Sequence, residues 1–201
     1  MSKEDWLESL EAVLVFVVPL LFVIPFYVFG FLTEVSGSYI TYSIYIACSV
    51  LLTKYNGRSL AEIGLTRKGL LPSLGYSGIL VLATFLRRLI FADLTFSPDT
   101  NSGANIAYGL FYWMFGGLGQ EVLFRGLILF SLQRWKDSKI ALVVSSVLFG
   151  LMHVRQGITG VMGTILIGGY WGWVALNTRN IVGTAISHGS YNFVFTFLFV
   201  S

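Results

Sequence analysis

Six long stretches of this chain contain no Asp, Glu, Lys or Arg: 12–32, 35–53, 69–86, 100–120, 156–178 and 180–201. A bilayer core takes about 20 apolar residues as a helix, and each run meets or approaches that length. Two shorter apolar pieces, 126–133 and 140–154, lie between Gln120 and Gln156. The first continues the fourth run through Glu121 and Arg125, and the second makes a short helix of its own. The expected architecture is therefore all-α: a polytopic membrane bundle of about seven helices. Their expected limits are 10–32, 38–53, 70–91, 104–132, 138–154, 158–177 and 181–200.

Only 11% of the 201 residues are charged, less than half the share of about 25% in soluble domains. A lipid-facing surface has no use for charge, so one membrane domain, 1–201, accounts for the whole length. The net charge of +3 does not indicate nucleic acid, because Lys and Arg sit in the short hydrophilic breaks instead of along one face. An N-inside arrangement puts Lys3, Lys54, Arg58, Arg67, Lys68, Arg134, Lys136, Lys139 and Arg179 on the cytoplasmic side. Arg155 lies outside, with Arg87 and Arg88 near the outer end of the third helix, as the positive-inside rule expects. The expected location is the plasma membrane with a cytoplasmic N-terminus.

The first run is longer than the about 7–15 residues of a signal-peptide core and follows an acidic start (Glu4, Asp5, Glu8, Glu11), so it reads as a true span. Pro19 and Pro25 are expected to kink it. Polar loops are expected around Asn56-Gly57, from Asp93 to Gly103 and from Asn177 to Asn180. The segment 59–70 reads either as a short amphipathic piece at the interface or as an ordinary loop. Cys48, the single cysteine, is expected to pack in a helix. Gly160, Thr164, Gly168 and Gly172 recur every four residues, a small-residue ridge that lets another helix approach closely.

Ionisable groups within a membrane cost roughly 2.5–3.5 kcal/mol each even on the lenient insertion scale, so each needs a partner or a role. The list is short: Glu121 and Arg125 in helix four, His153 near the end of helix five, and His188 with Asn192 in helix seven. Glu121 and Arg125 share a helix face and can pair, as can His188 and Asn192. Gln120, about 100° around from Glu121, can border the same cavity while pointing elsewhere. Taken singly, an ion pair or a buried histidine is commonly structural. A carboxylate, two histidines and an amide together in so apolar a chain point to a site.

The order Gln120-Glu121-Val122-Leu123-Phe124-Arg125, then Phe149 to His153, then His188 to Asn192, resembles the three motifs of the CPBP family. These are intramembrane proteases of the CAAX-prenyl-protease-2-like, bacteriocin-processing and abortive-infection groups, with signatures E-E-x-x-x-R, F-x-x-x-H and H-x-x-x-[N/B]. The resemblance covers about 59–195, leaving 1–58 as N-terminal helices. It implies peptide-bond hydrolysis near the membrane surface. The first Glu would activate water, with the second Glu and the Arg in support. His153 would hold the water or the base, Phe149 would contact substrate, and His188 with Asn192 would donate to the oxyanion. The implied partners are membrane lipid and a hydrophobic peptide or membrane-protein substrate.

The chain departs from the family pattern at the first glutamate, which is Gln120. An amide keeps the shape of a carboxyl group but cannot take a proton from water. Three readings are open: an engineered knock-out that silences the base, a natural member in which Glu121 is the base, or a protein that binds polypeptides as a scaffold without cutting them. Zinc is also open, with Glu121, His153 and His188 as candidate ligands. The absence of an H-E-x-x-H pair favours a metal-free, glutamate-dependent route. The expected depths agree poorly: Glu121 about 16 Å from its helix end, His153 about 22 Å and His188 about 11 Å.

Overall fold

The computed structural model describes residues 3–91, 95–96, 103–195 and 199–200. Seven helices make up the bundle: α1 (Lys3–Val28), α2 (Glu34–Tyr55), α3 (Leu70–Phe91), α4 (103–135), α5 (Ser138–Leu151), α6 (Gly157–Thr178) and α7 (Val182–Phe193). Among the described residues, five helices are long and apolar enough to cross a membrane, with windows at Glu4–Phe26, Val35–Tyr55, Leu70–Phe91, Ala107–Trp135 and Val154–Thr178. At 14 residues α5 spans about 21 Å, and α7 at 12 residues is shorter still. The protein is an integral membrane bundle that leaves large apolar side chains exposed on its outside, among them Leu21, Leu82, Leu89 and Leu166.

Helix α1 starts earlier than expected, because Glu4 and Asp5 favour the positive end of a helix dipole. It remains one α-helix through Pro19 and Pro25. The loop expected between Asp93 and Gly103 lies, apart from 95–96, outside the described residues. The seventh helix was expected to reach residue 200 but ends at Phe193, with a wide π turn at 194–195. Thr95–Phe96 instead pairs antiparallel with Phe199–Val200. Aromatic and β-branched residues suit either state, and a short apolar run does not distinguish them by periodicity.

Helix α4 is the axle of the fold. Its spanning window is 89% buried, with Leu123, Phe124, Ile128, Leu129 and Phe130 at its centre. Two π-helical stretches, Tyr112–Gly116 and Val122–Leu129, flank the single α turn Gly117–Glu121. Such widenings recur at functional sites because they re-aim side chains. Helices α1 and α2 close one side of the axle, where the Phe16 ring meets Phe124 edge-on at 5.3 Å.

Small residues set the helix spacing. A Cβ at Gly117 would come within 2.7 Å of the Ala185 carbonyl and the Gly189 nitrogen, so α4 and α7 touch backbone to backbone. On the small-residue ridge, a Cβ at Gly172 would meet Leu142 at 2.6 Å and one at Gly168 would meet Phe149 at 2.8 Å. The ridge therefore does bring α5 against α6.

The segment 59–70 is more deeply engaged than an interfacial helix. It forms a 3-10 turn, Leu60–Ile63, closed by Gly64 at φ +79°, a left-handed angle that suits glycine. Ile63 is buried, and the Gly64 carbonyl accepts from the Ile181 nitrogen at 3.0 Å. Asn180, expected in a polar loop, is likewise buried. Its amide donates to the Thr66 and Lys68 carbonyls at 2.6 and 3.1 Å and accepts from the Gly183 nitrogen at 2.9 Å. The start of α7 is thus held inside the bundle.

Candidate active site

Glu121 ends the one α-helical turn between the two π stretches of α4, and Arg125 lies one turn further on. Both have no exposed surface. Arg125 Nη1 lies 3.0 Å from Glu121 Oε1. The pair is in ionic contact without hydrogen-bond alignment, because Nη1 has no hydrogen-bond partner among the described residues. Arg125 Nη2 instead donates to the Gly168 carbonyl on α6 at 3.0 Å. The guanidinium also lies over the Phe149 ring, 4.3 Å from its centroid. A guanidinium stays charged in any protein environment, so three helices cooperate to hold it: α4 with the anion, α6 with a carbonyl and α5 with an aromatic face.

His188 completes the cluster from α7. Its Nδ1 is 2.9 Å from the same Glu121 Oε1. The ring stacks on Trp171 at 4.3 Å and 25° and meets Phe149 edge-on at 5.6 Å. The close approach of Gly117 and Gly189 makes this contact possible, since any side chain there would push α7 away from α4. His153 sits just past the end of α5, half-buried. Its Nδ1 is 2.8 Å from the Phe149 carbonyl and its ring is tilted on Phe149 at 4.8 Å. Phe149, 1% exposed, contacts both imidazoles and packs within the site.

Not every candidate joins this cluster. Gln120 has no exposed surface, and its amide turns to α2, where Nε2 donates to the Tyr42 hydroxyl at 3.1 Å. Tyr42 in turn donates to the Tyr112 hydroxyl at 3.2 Å. Gln120 Oε1 and Glu121 Oε2 are buried acceptors without a protein partner among the described residues. Arg125 Nε and Trp171 Nε1 are donors in the same condition. Asn192 is half-buried one turn beyond His188, and no hydrogen bond links it to Glu121 or His188 among the described residues.

The 2.9 Å contact of His188 with Glu121 puts these two residues at one level, although their distances from their helix ends differ. With α4 reaching Trp135, Glu121 lies about 21 Å from that end, and His153 about 22 Å from the start of α5. His188 is only about 9 Å into α7, but Asn180 and Ile181 are themselves buried. The helix therefore begins inside the bundle.

Each candidate zinc donor already has a protein partner on one atom. Glu121 Oε1 is shared by Arg125 and His188, both histidines have Nδ1 engaged, and Phe149 contacts both rings. No three His, Cys, Asp or Glu side chains among the described residues form a group able to hold a metal. The guanidinium already supplies the positive charge beside the carboxylate.

Three contributors were not anticipated from the sequence. Trp171 and Gly168 belong to the helix that carries the small-residue ridge, which signalled packing and not a site. Tyr42 lies in the first two helices, outside the motif-bearing region. Only the polar position itself, a Tyr in a spanning run, could have drawn attention to it.

Residues 102–194 match the family model described as type II CAAX prenyl endopeptidase Rce1-like. No curated protein and no solved structure matches the chain. The matched segment contains the whole Glu121–Arg125–His188 cluster together with Gln120, Phe149, His153 and Asn192. The match to an Rce1-like model over residues 102–194 is consistent with the CAAX protease family that the three motifs resemble.

Proposed function

We propose that this chain is an intramembrane endopeptidase that hydrolyses a peptide bond in a membrane-associated substrate, with activity held low by Gln120. The observation that carries this reading is the fully buried Glu121–Arg125 pair with His188 on the same carboxylate oxygen. A buried ion pair gives a fold little net stability compared with apolar packing, so chemistry is the better reason to keep one between apolar helices. In this reading Arg125 and Glu121 fix the His188 ring. His153, at the open end of α5, holds the attacking water, and Asn192 faces the developing oxyanion. Fixed donors at such an oxyanion contribute about 3–4 kcal/mol each in comparable sites.

The family description supports a C-terminal prenylated peptide as substrate, entering from lipid beside the bundle. The basic residues Arg58 and Arg134 share one end of the bundle with the N-terminus of α1, which supports a cytoplasmic placement of that end in the plasma membrane.

The test is Gln120→Glu. With an internally quenched farnesylated peptide as probe, the substitution should raise cleavage about 10²–10⁴-fold, the usual contribution of a general base. If the reverted protein stays inert while an active relative cleaves the same peptide, the endopeptidase reading is wrong. One observation favours a second reading, a scaffold that holds a polypeptide uncut: the Gln120 amide is spent on packing against Tyr42. Full cellular function of a His153→Ala variant would support it.

A further inference from the structure

We infer that in the native Gln120 form His188 is the general base, oriented by Glu121, an assignment that rests on the endopeptidase reading above. A base is needed from somewhere, and the three candidates differ in how their lone pairs are committed. The Gln120 amide has no basicity. Glu121 is bound through Oε1 to both Arg125 and His188, so proton uptake there would unpair a guanidinium with no exposed surface. Among the ion pairs of the described residues, Glu121 is the single anion that meets Arg125, which keeps the carboxylate ionised.

An ionised carboxylate only accepts hydrogen bonds, so the 2.9 Å contact requires the proton of His188 to sit on Nδ1. In a neutral imidazole this leaves the lone pair on Nε2. The stack on Trp171 and the edge contact with Phe149 fix the plane in which that lone pair points. In this tautomer Nε2 has no proton to give an oxyanion until it has taken one. His153 has the same tautomer, because the Phe149 carbonyl also accepts only. It lacks a carboxylate to stabilise the imidazolium that a base becomes.

The step balances without a further reactant. Nε2 takes one proton from water as the water oxygen bonds to the scissile carbonyl carbon, giving the tetrahedral adduct and an imidazolium. The imidazolium then donates to the adduct oxygen. As the C–N bond breaks, Nε2 returns its proton to the leaving amine, and the products are one carboxylic acid and one amine.

The test uses the full chain in lipid nanodiscs. His188→Asn keeps an N–H at the Nδ1 position for Glu121 and removes the basic Nε2, so the fold is spared. With the farnesylated quenched peptide, His188→Asn should lower the residual cleavage of the native form at least 100-fold. In the Gln120→Glu background, where a carboxylate base is restored, the same change should cost less than 10-fold. Equal losses in both backgrounds would assign His188 to oxyanion binding alone and overturn the inference. Cleavage by the Gln120→Glu form with none at all by the native form would overturn it too, while leaving the endopeptidase reading intact. No cleavage by either form, beside an active relative, refutes that reading instead. An independent check needs no substrate: the chain has two histidines, and ¹⁵N spectra should show both protonated at Nδ1. A His188 protonated at Nε2 would refute the assignment.

Discussion

Replacing Glu121 with Gln should destabilise the bundle far more than removing the ion pair as a whole. In Glu121→Gln the guanidinium of Arg125 keeps the Gly168 carbonyl at 3.0 Å and the Phe149 ring at 4.3 Å but loses its anion. Removing one partner of a buried pair costs about 3–5 kcal/mol, because the remaining charge is uncompensated. For a chain of this length that corresponds to a midpoint fall on the order of 10 °C. Arg125→Met alone should cost less, since His188 still donates to Glu121 Oε1 at 2.9 Å. The double variant Glu121→Gln/Arg125→Met removes both charges while Met fills part of the Arg125 volume, and should recover most of the loss. Reversible unfolding in mixed detergent micelles reads all four corners of the cycle. A Glu121→Gln loss below about 1 kcal/mol, or a double variant as unstable as the sum of the singles, would refute the argument that the pair is held by mutual neutralisation.

Two other outcomes follow from the geometry. Gly189→Ala places a methyl group against the Trp113 carbonyl on α4 and should part α7 from α4. Cleavage by a Gln120→Glu parent should then fall by an order of magnitude or more, with a matching drop in thermal stability. Outside the membrane, the Ser59 backbone N–H, helped by Arg58, holds the Glu62 carboxyl below its ordinary 4.5. Its contribution is complete above 4.5 and is lost as pH falls through the lower folded value. Acid titration of stability should therefore flatten slightly in Glu62→Gln, and an unchanged titration would contradict the capping role.

The sequence by itself determined the bundle. Charge-free runs of spanning length leave the backbone no option but helix in hydrocarbon, and the cost of burying charge singled out Glu121, Arg125, His153 and His188. Helix ends were less legible. Where α4 stops, where α7 starts, and how residues 199–200 pair depend on neighbours that a periodic pattern does not encode.

The tertiary structure alone decided the partnerships. Gln120 and Glu121 are adjacent in the chain, yet the helix turn sends one to Tyr42 and the other to Arg125 and His188. The candidate metal donors likewise have partners that residue type does not give: Arg125 and His188 meet Glu121 Oε1, and Phe149 contacts both imidazoles. Spacing along a helix fixes which face a side chain leaves from. What it meets there is set by the backbone contact of Gly117 with Gly189, between helices far apart in sequence.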